Sequence, residues 1–229
     1  MTLRYKWYRL TLPFGVSNLI RELLSFPLTP ESDCGFRPKK SDETGDCLRF
    51  AWRSTVSAVA FDEDGNPRTE SVSTINFVDL KFFCRGEAVF LRIDNPGKSV
   101  KTLMNELGRI AGYGFSIQPV VFSDSTPPPF FDKFDQIRLV GLKLINVVFD
   151  RHVVGRVELA SKEGIDLKAI WETTGKAYVV DTATYEVTAR MIKGQLAFSK
   201  GGLVKVTDRL APQFLDFFEG AIEKIAESR

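Results

Sequence analysis

Apolar and polar positions alternate at the start of the chain, with Leu3, Tyr5, Trp7 and Arg9 on one set and Arg4, Lys6 and Tyr8 on the other. A period of two sends successive side chains to opposite faces, so residues 3–12 are predicted as a strand with one aromatic face. After Pro13 and Gly15 the period changes: Val16, Leu19, Ile20, Leu23 and Leu24 recur at helical spacing, and Pro27 and Pro30 end the segment. Residues 28–46 hold few apolar positions and many turn formers, which predicts a long loop. Residues 48–61 and 68–83 are rich in Val, Phe, Thr and Ile and flank Asp62-Glu63-Asp64-Gly65-Asn66-Pro67, a hairpin pattern. A strand over 88–93, a helix over 100–110 stopped by Gly112 and Gly114, and a strand over 115–122 complete this part.

Pro127, Pro128 and Pro129 interrupt the pattern, since consecutive prolines fit neither a helix interior nor a central strand. Strands are predicted at 137–149 and 153–159, a short helix at 165–173, and a strand at 178–191. A strand over 195–206, broken at Gly201-Gly202, and a helix from Pro212 carrying Leu215, Phe218, Ile222 and Ile225 on one side follow. The reading is an α+β fold with mostly antiparallel sheets and helices packed on one face. It divides into two subdomains, βαβββαβ over 1–123 and ββαββα over 133–229, joined by a Pro-rich linker over 124–132.

Composition narrows the function. The 229 residues include 31 basic and 29 acidic side chains, a net charge of +2, so a nucleic-acid footprint must be local if it exists at all. The N-terminal stretch is interrupted by Arg4, Lys6 and Arg9 and lacks a signal-peptide core, and no run of 18 apolar residues occurs. The expectation is a cytoplasmic protein with no membrane partner. Cys34, Cys47 and Cys84 are unclustered and His152 is the sole histidine, so zinc sites and His-dependent catalysis have almost no material to work with. Neither G-x-G-x-x-G nor G-x-x-x-x-G-K-[ST] is present, and no cofactor or resident metal is expected.

Two constellations stand against this scarcity. Glu22 on the first helix, Asp64 in the acidic turn, and Asp79 and Lys81 on one face of the next strand follow an α-β-β-β-α-β order. The order and the D-x-K spacing resemble the restriction-endonuclease-like nucleases. The resemblance covers residues 15–123 and implies carboxylates holding Mg²⁺ while Lys81 polarises the attacking water. The second constellation is cationic: Arg37, Lys39 and Lys40 in the long loop, and Arg190, Lys193, Lys200 and Lys205 along the C-terminal hairpin. With Phe198 as a stacking surface, these would track a phosphate backbone.

The leading expectation is a non-enzymatic binding or assembly protein acting on a protein partner, foremost a second copy of itself. Its motive is the aromatic surplus of Trp7, Phe214, Phe217 and Phe218, residue types that interfaces concentrate. A sequence-tolerant nucleic-acid binder is the alternative, and a Mg²⁺-dependent nuclease the second alternative.

Overall fold

The period-2 segments pair in antiparallel ladders, and with a few helices they make an α+β fold dominated by sheet. A computed structural model of the chain describes residues 1–39, 46–97, 100–122, 129–150, 153–166 and 178–227. In chain order the elements are β1 (Thr2–Thr11), α1 (Val16–Leu24), β2 (Cys34–Pro38), β3 (Cys47–Phe61), β4 (Pro67–Arg85), β5 (Ala88–Asp94), α2 (Lys101–Ala111) and β6 (Ser116–Pro119). They continue with β7 (Gln136–Asp150), β8 (Val153–Ala160), β9 (Val179–Ala189), β10 (Ile192–Ser199), β11 (Leu203–Thr207) and α3 (Ala211–Glu227). The helix expected over 165–173 lies almost wholly outside the described residues.

The chain forms two compact units interleaved in sequence: Met1–Leu10, Cys84–Arg92 and Ile117–Arg229 in one, Thr11–Phe83 and Ile93–Ser116 in the other. Of the linker expected over 124–132, residues 124–128 lie outside the described residues.

In the first unit the strand order is β5-β1-β11-β10-β9-β7-β8. Alternation on β1 sends Tyr5 and Trp7 to the face that α3 covers, where the rings of Trp7 and Phe218 lie 4.2 Å apart and those of Phe198 and Phe214 6.3 Å apart. Phe130 packs on Phe214 and Phe218, and Phe134 on Phe217. Each such side chain removed from water contributes about 1.5–3 kcal/mol, so this cluster is a principal source of the unit's cohesion. Trp7, Phe214, Phe217 and Phe218 are all buried here. The aromatic surplus read from sequence as interface is core instead, and Phe198 is buried with it.

One charged pair sits within that core. Arg92 Nη1 donates to Glu219 Oε1 at 2.6 Å, the Trp7 indole N–H donates to the same oxygen at 3.4 Å, and the guanidinium lies 5.5 Å from the Tyr5 ring centre. Arg85 Nε also donates to the Glu219 carbonyl, at 2.9 Å. This is how a helix lined with Phe tolerates a buried carboxylate: its charge is matched and its lone pairs are used.

The expected strand through Met191 ends at Ala189, because Arg190 and Met191 form a two-residue turn with φ of 49° and 67°. Both residues adopt the positive φ that a tight hairpin of this hand requires. The expected strand over 195–206 is likewise two strands, β10 and β11, turned at Lys200–Gly202, where Gly202 has φ of 80°.

In the second unit the order is β2-β3-β4. Phe36, Leu48, Phe50, Val78 and Leu80 are buried on one face of this sheet, beside Leu103 of α2, and Leu19 and Leu23 of α1 are buried in the same unit. β2 lies within the expected loop 28–46. Its Gly35 sits under the chain at Pro27–Leu28, whose backbone occupies the place a Cβ would take.

Candidate interaction surface

Why β3 and β4 extend so far is written in their residues. Thr55, Val56, Val59, Thr69, Val72, Thr74 and Ile75 favour the extended backbone, and the register runs without a bulge from Cys47↔Lys81 to Phe61↔Pro67. The tip is closed locally. The backbone N–H groups of Asp64 and Asn66 donate to Asp62 Oδ1 at 3.1 and 2.8 Å, and Gly65 takes φ of 80°. Midway, the Ser54 and Thr74 hydroxyls meet at 2.9 Å and Asn76 Nδ2 donates to Ser54 Oγ at 2.7 Å.

Only the base of this hairpin is packed. Residues 55–73 are exposed apart from the half-buried Ala60 and Asp62. β2 pairs with β3 only over Leu48–Trp52, so beyond Arg53 the outer edge of β3 is open among the described residues. The result is a two-stranded arm bare on both faces, of a kind that is marginal in isolation. Its side chains are not those of a solvated loop: Val59, Phe61, Ile75 and Phe77 are 63, 71, 56 and 56% exposed. Val56 and Val72, cross-strand partners, face water on the other side. In the first unit, Val148, Phe149, Val153 and Val154 at the β7–β8 end are also exposed.

Asp79 belongs to the base of the arm. It receives Arg49 Nε and Nη2 at 2.6 and 2.9 Å, and Lys39 Nζ lies 3.2 Å from its second oxygen. Burial pushes its carboxyl up, but hydrogen bonds and charge from Arg49 and Lys39 outweigh that and hold it below the ordinary carboxylate value. Arg49 also stacks 4.2 Å from the Phe77 ring centre.

The nuclease set does not converge. Asp79 and Lys81 do share a face, as alternation expects, but Asp79 is already spent on two cations. Asp64 is at the tip: from Asp79 to Pro67 is 79 − 67 = 12 residues along β4, about 40 Å at roughly 3.3 Å each. Glu22 is exposed on α1, and among the described residues no group of three or more Cys, His, Asp or Glu side chains is placed to hold a metal ion. His152 and Lys40 lie outside the described residues.

The expected hairpin cations are not one cluster either. Arg190 and Lys200 occupy turns at opposite ends of the eight-residue β10, about 26 Å apart along the strand. Lys193 is paired with Glu186 at 3.1 Å, and Glu186 is also bound by Arg138. Lys193 and Lys205 share the sheet face that α3 leaves uncovered. In the second unit the cations do gather: Arg37 stands opposite Arg49 in the ladder, next to Lys39 and near the Asp79–Lys81 face.

A cavity of about 340 Å³ in the second unit is lined by Phe26, Ser32, Cys34, Glu106 and Arg109. Arg109 binds Glu106 at 2.8 and 2.9 Å and lies over the Phe26 ring at 4.9 Å. The Cys34 thiol is pushed up by burial and then by Glu106. No described helix is long and apolar enough to cross a membrane.

No protein family matches this chain, and no curated protein is similar to it. Among solved structures it aligns with DynU16, a protein of the dynemicin biosynthetic locus, over 96% of this chain and 97% of that one, at 12% identity and a TM-score of 0.21. A likeness that slight carries no argument about fold or function.

Proposed function

We propose that this protein is a non-enzymatic assembly protein that associates with copies of itself through the β3–β4 arm. The observation that carries the reading is the arm's exposure: a two-stranded ribbon bare on both faces, with Phe61, Val59, Ile75, Phe77, Val56 and Val72 in water. Apolar surface and an unpaired strand edge are both costly to leave open, and both are satisfied by docking. Asp79, at the base of the arm, is ion-paired with Arg49 and Lys39, so it holds the base together.

The test is to shorten the arm. Replacing residues 56–72 by Asn-Gly joins Thr55 to Ser73, which already face each other in the ladder, through a favoured two-residue turn. The packed base is untouched, so folding is expected to persist by circular dichroism. Light scattering is expected to show an associating wild type and a monomeric shortened chain; equal masses at all concentrations would refute the reading.

A second reading, sequence-tolerant nucleic-acid binding, retains one supporting observation: the exposed Phe77 ring against Arg49, on the sheet face that also carries Arg37 and Lys81. Salt-dependent retention on single-stranded DNA is its test.

A further inference from the structure

The β3–β4 arm is charged oppositely at its two ends. At the tip, Asp62, Glu63, Asp64 and Glu70 against Arg68 leave 1 − 4 = −3. At the base, Arg37, Lys39, Arg49 and Lys81 against Asp79 leave 4 − 1 = +3. The register puts Arg49, Arg53, Thr55, Ser57, Val59 and Phe61 of β3 on the same face as Asp79, Phe77, Ile75, Ser73 and Ser71 of β4. That face runs from the cationic base, through exposed Phe77, Ile75 and Val59, to Phe61 beside the acidic turn.

A surface with this gradient is complementary to its own reverse. We propose that two copies mate along this face with their arms antiparallel about a two-fold axis, the acidic tip of each seated on the Arg37/Lys39/Arg49/Lys81 base of the other. The inference rests on the self-association proposed above and adds its geometry. Two-fold docking is self-complementary, each residue meeting its counterpart twice. Antiparallel seating pairs −3 with +3 at both ends and brings Phe61 toward Phe77, whereas parallel seating sets tip on tip and base on base. Like charges opposed in this way suppress the alternative arrangement.

The contact is modest. A ribbon face about 10 Å wide and about 40 Å long offers roughly 400 Å² per copy, or roughly 800 Å² in total, below the standard size for stable complexes. The expected association is therefore weak, and it weakens further with salt as the charges are screened.

Charge reversal tests the seating. Glu63→Lys with Asp64→Lys makes the tip basic, and Arg37→Glu with Lys81→Glu makes the base acidic; none of these four takes part in the Asp79 ion pairs. Each pair alone is expected to raise the dissociation constant measured by sedimentation about tenfold or more. All four together in one chain leave −3 + 4 = +1 at the tip and 3 − 4 = −1 at the base, so complementarity is restored with smaller charges and the chain is expected to bind more tightly than either pair alone while staying weaker than wild type. A quadruple variant as weak as either pair overturns the proposal. If the arm-shortened chain is monomeric while neither reversal matters, association through the arm stands and the antiparallel seating falls. A monomeric wild type sinks both. Retention of wild type on single-stranded DNA, lost with Arg37→Glu/Lys81→Glu while the mass of that variant is unchanged, would make the base a phosphate-tracking surface and also overturn the seating.

Discussion

Replacing Glu219 by leucine is expected to be the most damaging conservative change in the α3 core. Arg92 and Glu219 side chains are 10 and 9% exposed, and Glu219 Oε1 accepts from both Arg92 at 2.6 Å and the Trp7 indole at 3.4 Å. Leucine fills similar volume but removes the carboxylate that the Arg92 guanidinium and the Trp7 indole both reach in a dry site. Breaking a buried pair from one side costs about 3–5 kcal/mol, and the orphaned indole N–H falls within that sum because it shares the lost oxygen. For a chain of this size each kcal/mol moves the melting temperature about 2–4 °C, so a loss of about 6–20 °C follows. Urea unfolding monitored by circular dichroism measures it. Glu219→Gln keeps an oxygen acceptor and is expected to cost less than leucine. The double variant Arg92→Met/Glu219→Leu removes both charges and is expected to recover most of the loss, since paired charges and apolar isosteres are nearly equivalent in such sites. A Glu219→Leu chain within about 1 kcal/mol of wild type, or a double variant no better than the single, would refute the buried-pair account.

Three further outcomes follow from the same geometry. Asp79→Ala is expected to lose about 1–3 kcal/mol at neutral pH. Because its folded carboxyl is held below the ordinary value, that stabilisation is complete above about pH 4 and disappears as pH falls through the depressed value. Urea midpoints of wild type and variant should therefore converge in acid, and a gap independent of pH would contradict the ion-pair role. Gly35→Ala places a Cβ against the Leu28 backbone and is expected to cost about 1–3 kcal/mol by thermal melting, with an unchanged melting temperature counting against the crossing at Pro27–Leu28. Arg190-Met191→Asn-Gly keeps the backbone N–H that donates to Asp135 at 2.8 Å while suiting the positive φ values, and is expected to stabilise by about 1 kcal/mol; a lower melting temperature would speak against that turn geometry.

The β3–β4 hairpin was legible because its signals are local: β-branched runs on either side of an Asp-x-Asp-Gly-Asn turn need no distant partner to be read. The alternation of Ala183, Tyr185, Val187 and Ala189 likewise marks β9 directly. What was hidden depends on distance. β2 is five residues containing Gly35 and Pro38, a poor strand by propensity that exists because Arg37 and Phe36 have Arg49 and Phe50 to pair with. Phe214, Phe217 and Phe218 look excessive for one helix stripe, and only the arrival of Phe130, Phe134 and Phe198 from elsewhere shows that all are enclosed. Asp79 and Lys81 fit a metal-site spacing, yet the neighbour that decides the role of Asp79 is Arg49, thirty residues away in sequence. The arm itself was missed as a surface since exposure on both faces leaves no mark on a period-2 pattern. Its one visible signal was length, strands of 15 and 19 residues where about five or six is usual.

Amide exchange of the arm as a function of protein concentration tests most directly whether this ribbon is what joins one copy to another. Residues 54–61 and 67–73 are expected to exchange slowly at high concentration and to lose that protection on dilution, while the packed segments around Leu48, Phe50, Val78 and Leu80 stay unchanged. Exchange in the arm that is fast and identical at every concentration would contradict the account.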